Sequence, residues 1–334
     1  TNLNPSVGCV VVKNNSVISS GCTSLQGRPH AEYNALKSKK NFKNADMYVT
    51  MEPCTHKGLT PPCTNLIAKK GIKRVYYSFN DTDSRTAKKS KNELNKRGIK
   101  VYKKFIPHFH DFYNSYFLIH KKTIPFIDAK IATSKDYLTI NKKTKWITNS
   151  KSRNIAHLIR SQYDAIISTS KSINKDNSLL NCRIKGFNNN KPDLIIIDMG
   201  LKIKRNLKLL KDLKKRKILI ITSVLKGKKI SYLKKKGIKI LYFKTLKNKN
   251  DFINLFKILK KYTYSRILVE SGLIFLNQLI KNKLIFNLYV FQSSTNLGKN
   301  GFNNISSDFI RKIKLNNRIQ VNLNGDKLFK IRFK

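Results

Sequence analysis

An α/β protein of two domains is what the sequence predicts, and three observations carry that. Short β-branched runs alternate with helix-period stretches along the whole chain. Its 334 residues exceed the usual size of one domain. An aromatic segment at 103–124, "KKFIPHFHDFYNSYFLIHKKTI", separates two regions of that alternation. We therefore expect a first domain over 1–103, a connecting helix over 104–124 and a second domain over 125–334.

In order along the chain, Val7–Lys13 and Val17–Ser20 flank an Asn14-Asn15 pair and read as a hairpin. A helix follows from Ala31 to Ser38, then a strand at Met47–Met51. Pro62 to Lys70 has proline in the first turn, lysines in the last and Gly71 just beyond, the punctuation of a helix. Ile72–Phe79, Lys88–Lys96 and Ile99–Tyr102 complete a strand, a helix and a last strand. His108, His110 and His120 lie in the aromatic segment, where no cysteine or carboxylate shares their spacing, so they read as surface histidines of a packed helix. Beyond Pro125, strands are expected at Phe126–Ala132, Asp164–Thr169, Asp193–Asp198, Lys217–Thr222, Ile238–Phe243, Arg266–Glu270 and Phe286–Gln292. Helices fall at Ser150–Arg160, Asp251–Lys260 and Ile274–Lys281, and "RIQVNLNGDKLFKIRF" closes the chain as a hairpin.

The formal charge of +51 raises the question of a nucleic-acid partner. Lysine far exceeds arginine and is spread along the chain, which favours a solvated compositional bias over a phosphate-reading surface. No apolar run approaches the roughly 18 residues of a membrane span, and Thr1–Pro5 carries no signal-peptide pattern. The start without methionine is read as trimmed. Five cysteines are an odd and sparse set, which speaks for a reducing cytoplasm rather than a disulfide framework. Cys9 and Cys22 read as small buried hydrophobes.

Cys54 and Cys63, separated by eight residues, could be a structural clip, a redox pair or part of a catalytic metal site. His30 upstream supplies a third ligand, and three protein ligands with one exchangeable position is the catalytic zinc pattern. Glu32 lies two residues after His30, placed to shuttle protons beside a metal-activated water. Cys63 falls in the first turn of a helix, where free N–H groups favour a thiolate. The H-x-E…P-C…C set is the zinc-deaminase arrangement, in which hydroxide attacks an amidine carbon.

The stretch between the cysteines is longer than the P-C-x-x-C of nucleobase deaminases. Here the chain resembles the bifunctional deaminase/reductase family of bacterial riboflavin biosynthesis. That family's first domain carries N-P-x-V-G-C-V-I-V, G-x-P-H-A-E and L-E-P-C-x-H-x-G-x-T-P-P-C. This chain has NPSVGCVVV at 4–12, GRPHAE at 27–32 and MEPCTHKGLTPPC at 51–63. Further likeness lies in DAKIATSKD (128–136), WIT (146–148), Arg160, DAIISTSKSINKDNSLLNCR (164–183) and VESG (269–272).

The resemblance implies a cytidine-deaminase-like α/β/α zinc domain followed by a dihydrofolate-reductase-like α/β domain. It implies one zinc ion on His30, Cys54 and Cys63, Glu32 as proton shuttle, and Asn4 and His56 facing the pyrimidine. NADPH would meet Thr133, Trp146, Ser172, Asp176 and the run Gly272, Leu273, Ile274, Phe275, Leu276, Asn277 and Gln278. Thr144, Arg160, Leu180, Arg183 and Glu270 would hold the ribose phosphate, the two arginines as a clamp on its 5′-phosphate. Lys130 and Asp176 are candidate polar groups near the reacting ribose carbon, and Trp146 is otherwise a core residue.

The implied activity is deamination of 2,5-diamino-6-ribosylamino-4(3H)-pyrimidinone 5′-phosphate, then NADPH-dependent reduction of its ribosyl chain, in a cytoplasmic homo-oligomer with no membrane or specific nucleic-acid partner. The rivals are an RNA or nucleoside deaminase, a deaminase with a decayed reductase half, and a basic nucleic-acid-binding protein with structural zinc. The family's helix ahead of the N-P motif is expected to be missing, and other positions differ: A-G-R-G reads Ala87-Lys88-Lys89-Ser90, the glycine after Asp136 is Tyr137, and D-D/N-P reads Asp176-Asn177-Ser178.

Overall fold

Asn14 and Asn15 take left-handed φ angles of 49° and 56°, the geometry of a two-residue hairpin turn, and so join β1 (Gly8–Lys13) to β2 (Ser16–Cys22). The computed structural model describes residues 5–25, 27–110, 112–113, 116–117, 124–184, 192–211, 213, 216–305 and 308–333. The chain divides into two units, Thr1–Thr123 and Ile124–Lys334.

The first unit continues with α1 (Ala31–Leu36), β3 (Asp46–Met51), α2 (Cys63–Lys69), β4 (Arg74–Phe79), α3 (Ser90–Asn95) and β5 (Lys100–Lys103). Its sheet runs β2-β1-β3-β4-β5, with β1 antiparallel to both neighbours and β3, β4 and β5 parallel. Alternation buries Val11, Val49, Val75 and Val101 against Ala35, Leu36, Ile67 and Leu94. The opposite register carries Tyr48, Tyr76 and Tyr102, whose rings stack at centroid spacings of 4.7 and 5.1 Å. Helix α1 lies so close to β2 that a Cβ on Gly21 would stand 2.4 Å from the Ala35 nitrogen and 2.5 Å from the Ala31 oxygen. The described residues of the expected connecting helix pack with this unit: Tyr113 is buried, and its hydroxyl meets Thr50 at 2.5 Å and the Ser6 carbonyl at 2.9 Å.

The second unit holds β6 (Phe126–Thr133), β7 (Ile140–Asn141), α4 (Ser150–Arg160), β8 (Ala165–Thr169), α5 (Ser170–Asp176), β9 (Asp193–Ile197) and β10 (Ile218–Thr222). It continues through α6 (Lys228–Lys235), β11 (Lys239–Tyr242), α7 (Lys249–Lys261), β12 (Arg266–Val269), α8 (Leu273–Lys281) and β13 (Asn287–Gln292). Last come β14 (Gly301–Phe302), α9 (Asp308–Arg311), β15 (Arg318–Leu323) and β16 (Asp326–Arg332). Nine strands form one sheet in the order β11-β10-β9-β8-β12-β6-β13-β16-β15, parallel from β11 to β13 and antiparallel at β13-β16-β15. Isoleucine-rich β8, β9 and β10 are buried on both faces, as parallel strands between two helical layers must be.

The lost family glycines do not prevent the turns. Lys88 and Tyr137 take φ of 62° and 64° in the left-handed region, as does Asn177 in the altered D-D/N-P stretch at 44°. Hydrogen bonds hold each one: Glu52 accepts from the Lys88 N–H at 3.0 Å, the Tyr137 N–H reaches the Ser134 carbonyl at 3.1 Å, and the Asn177 side chain accepts from the Lys208 N–H at 2.9 Å.

Candidate metal centre and reductase cavity

His30 stands just ahead of α1 in extended conformation, and Glu32 follows it within the first turn of the helix, its carboxyl buried. Cys63 opens α2, and Cys54 follows β3 across the same gap. The His30 Nδ1 lies 3.6 Å from the Cys54 Sγ and 3.5 Å from the Cys63 Sγ. Bonds of about 2.3 Å to sulfur and about 2.1 Å to nitrogen, set tetrahedrally, separate such atoms by roughly 3.5 Å. The three donors therefore fit zinc, and among the described residues no fourth ligand joins them. That count favours an open site over the four-ligand structural zinc of the nucleic-acid-binding rival.

The electrostatics suit a metal. Cys54 is drawn down to about 4 by the hydrogen bond it shares with Cys63, against the cost of burial, and with help from His30. Its sulfur also accepts the Cys63 backbone N–H at 3.2 Å. Cys63 is pushed up by the shared proton and by burial. Glu32 is 4% exposed, and burial, then the Cys54 charge, raise its carboxyl to about 7. His56 is oriented by Thr86, whose hydroxyl lies 3.0 Å from its Nδ1. Buried Glu52 organises the loop carrying Thr86, accepting from the N–H groups of Asp81, Lys88 and Ser90 and from the Ser90 hydroxyl. Neither Glu52 nor Thr86 was visible as functional in the sequence, since each acts through a neighbour. Asn4 and His120 lie outside the described residues. Cys9 is buried as expected, whereas Cys22 is exposed at the outer end of the edge strand β2, a position that sequence alone does not distinguish.

In the second unit the carboxyl ends of β6, β8 and β12 open into a cavity of about 890 Å³, the location expected for ligands of an open parallel sheet. Glu270 follows β12 and is 9% exposed. Arg160 of α4 clasps it with two bonds, Nε to Oε1 at 2.5 Å and Nη2 to Oε2 at 2.9 Å, and Lys130 of β6 approaches at 3.4 Å. Burial alone would raise Glu270, but the charges of Arg160 and Lys130 hold it at about 2. Burial lowers Lys130. Arg160, expected as one arm of a phosphate clamp, bonds Glu270 and also reaches the Asn181 carbonyl at 3.1 Å. Arg183 bonds only the Asn181 side chain, at 2.7 Å, within the described contacts.

Thr144, Trp146, Ser172, Asp176, Leu180 and Arg183 all line this cavity, as do Gly272, Leu273, Ile274, Phe275 and Gln278. Leu276 and Asn277 belong to the same helix but are not among the lining residues, and Thr133 is buried with its hydroxyl on the Ser134 carbonyl. Trp146 is 52% exposed rather than a core residue, with Arg153 4.5 Å and Lys145 5.2 Å from its ring. Helix α8 starts at Gly272 with no side-chain cap, and the Gly272 N–H reaches the Ser172 hydroxyl at 3.1 Å. An uncapped helix start beside Ser172, in a cavity that Arg153 and Lys145 also line, is a donor set that fits a phosphate-bearing cofactor.

Comparison with other proteins agrees with both halves. Residues 1–79 match the cytidine and deoxycytidylate deaminase zinc-binding region, and residues 125–321 match the RibD C-terminal domain. An Acinetobacter baumannii RibD structure superposes with a TM-score of 0.80 at 25% identity, covering 98% of this chain and 92% of that one. A Thermotoga maritima diaminohydroxyphosphoribosylaminopyrimidine deaminase/5-amino-6-(5-phosphoribosylamino)uracil reductase shares the fold, with a TM-score of 0.81 at 24% identity over 99% and 93% of the two chains. The riboflavin biosynthesis protein RibD of Buchnera aphidicola is 33% identical over 89% of this chain and 83% of its own length. Its counterpart in Aquifex aeolicus is 31% identical over 90% and 83%. With likeness running through both units, the chain belongs to the riboflavin biosynthesis protein RibD family.

Proposed function

We propose that this chain carries out two consecutive steps of riboflavin biosynthesis: hydrolytic deamination of 2,5-diamino-6-ribosylamino-4(3H)-pyrimidinone 5′-phosphate, then NADPH-dependent reduction of the ribosyl chain to ribityl. The observation that carries the first step is the His30–Cys54–Cys63 trio with the buried carboxyl of Glu32 beside it. Zinc, when bound, lowers the pKa of water to about 7 and so supplies a nucleophile at neutral pH. Glu32 takes the proton released by the attacking water and returns it to the departing amine, a task helped by the burial that raises its carboxyl above the usual range. His56 faces the pyrimidine, with its ring orientation set by Thr86.

For the second step, NADPH supplies the hydride. Supporting this is a cavity near the upper end of the roughly 300–1,000 Å³ range of small-molecule sites, with a polar floor and an uncapped helix start. Glu270 and Lys130 orient the ribose, Arg183 takes the 5′-phosphate, and Trp146 with Ser172 meets the cofactor. Arg160 holds Glu270 in place.

The test is zinc content together with coupled assays on the pyrimidine phosphate. One zinc per chain, ammonia release, and NADPH oxidation that requires the deaminated product are expected. Ammonia release that survives zinc removal would sink the first assignment, and NADPH oxidation without the deaminated product would sink the second.

A further inference from the structure

Residues 177–180 and Arg183 form one wall of the reductase cavity, and their backbone needs support. Asn177 and Leu180 have φ of 44° and 48°. A leucine adopts that conformation only where its surroundings impose it. The support comes from a residue that does not line the cavity. Arg216, two positions before β10, donates from its guanidinium to the carbonyls of Leu180 at 2.6 Å, of Leu179, and of Pro192 at 3.3 Å. The next carbonyl, that of Asn181, receives Arg160 at 3.1 Å and His157 Nδ1 at 2.9 Å. Three consecutive carbonyls are therefore taken by guanidinium or imidazole donors. A planar fork of donors can serve adjacent carbonyls at once, which an ammonium cannot do as well.

We propose that Arg216 is a positioning residue of the reductase: it fixes the backbone at 179–180 and thereby presents Leu180 and Arg183 to the ribosyl phosphate. This rests on the assignment of those two side chains to substrate, so the experiment tests both. Zinc-loaded full-length Arg216→Met, Arg216→Lys and Arg183→Ala proteins are assayed with NADPH and the deaminated pyrimidine ribosyl phosphate, and ammonia release serves as an internal control. For Arg216→Met, the KM of the ribosyl phosphate should rise about tenfold or more, the scale of a lost charge-assisted bond. Its kcat and the KM for NADPH should stay within about twofold. Arg216→Lys should recover part of the affinity, and it decides the matter if the methionine variant does not fold. Amide exchange at 179–183 should quicken in both.

An unchanged substrate KM in Arg183→Ala defeats the assignment itself, and the inference with it. A raised KM in Arg183→Ala beside an unchanged one in the Arg216 variants defeats Arg216 alone. Loss of kcat and thermal stability in both Arg216 variants, without a selective rise in substrate KM, would also overturn it by leaving only a packing role.

Discussion

Glu32 and Glu270 are both buried carboxyls, yet their environments drive them in opposite directions. Burial and the Cys54 charge lift Glu32 to about 7, whereas two cations keep Glu270 at about 2 despite its burial. One is poised to exchange protons; the other is a permanent anion. Glu32→Gln keeps the shape and removes the exchange, so ammonia release should fall by about 10²–10⁴-fold while zinc content stays at one per chain. Loss of the metal in that variant would show that the carboxylate holds the site rather than working in it. Glu270→Gln strands Arg160 and Lys130 without their counter-charge. It should destabilise the reductase unit by about 3–5 kcal/mol, seen as an earlier denaturant midpoint. His157 offers a check on the same cluster. Burial, then Arg160 and Arg183, lower its imidazole to about 4. Because the folded value lies below the usual 6.5, the unfolded chain binds the extra proton between them. The stability this group contributes is therefore complete above 6.5 and is lost as pH falls to 4. Its ring protons should titrate near 4 by NMR; a midpoint at 6.5 would mean that the ring is neither buried nor faced by the arginines.

At the scale of elements, the zinc site depends on how α1 seats against β2. Gly21→Ala would put a methyl into the backbone of Ala31 and Ala35, forcing the helix that carries Glu32 and follows His30 to shift. Zinc affinity in a chelator competition should fall about tenfold or more, in the range of losses from disturbed outer-shell support. Unaltered affinity would mean that the helix end moves independently of its seat. The elements themselves were largely legible. The Asn14-Asn15 turn, α4 over Ser150–Arg160 and the isoleucine strands of the second sheet follow from turn chemistry and periodicity. The metal ligands were legible too, because few residue types bind zinc and three of them lie within 34 positions, 30 to 63. Lys130 and Glu270 were named only through the family resemblance, and their pairing was not legible, since they are 140 residues apart and periodicity says nothing about which strands become neighbours. Arg160 shows the same limit: its sequence context suits a phosphate clamp, and only the fold reveals its paired bonds to Glu270. Arg216 was hidden more deeply, because its partners are carbonyls that every residue has.

The whole molecule carries 69 basic and 18 acidic side chains. Such an excess repels itself in the folded state, and salt relieves it. The melting temperature should therefore climb as sodium chloride rises from about 50 to about 500 mM, where the screening length shrinks well below 10 Å. A flat or falling trend would place the charges too far apart to matter. None of the described helices is long and apolar enough to cross a membrane.

The one tryptophan, Trp146, stands half-exposed on the reductase cavity between Arg153 and Lys145, while the stacked Tyr48, Tyr76 and Tyr102 belong to the deaminase sheet. The indole is thus an optical label of the second unit alone, whereas tyrosines occur in both. Indole emission excited at its red edge, where tyrosine does not absorb, therefore reports on the second unit by itself, so its unfolding can be followed apart from that of the first in a single unlabelled sample.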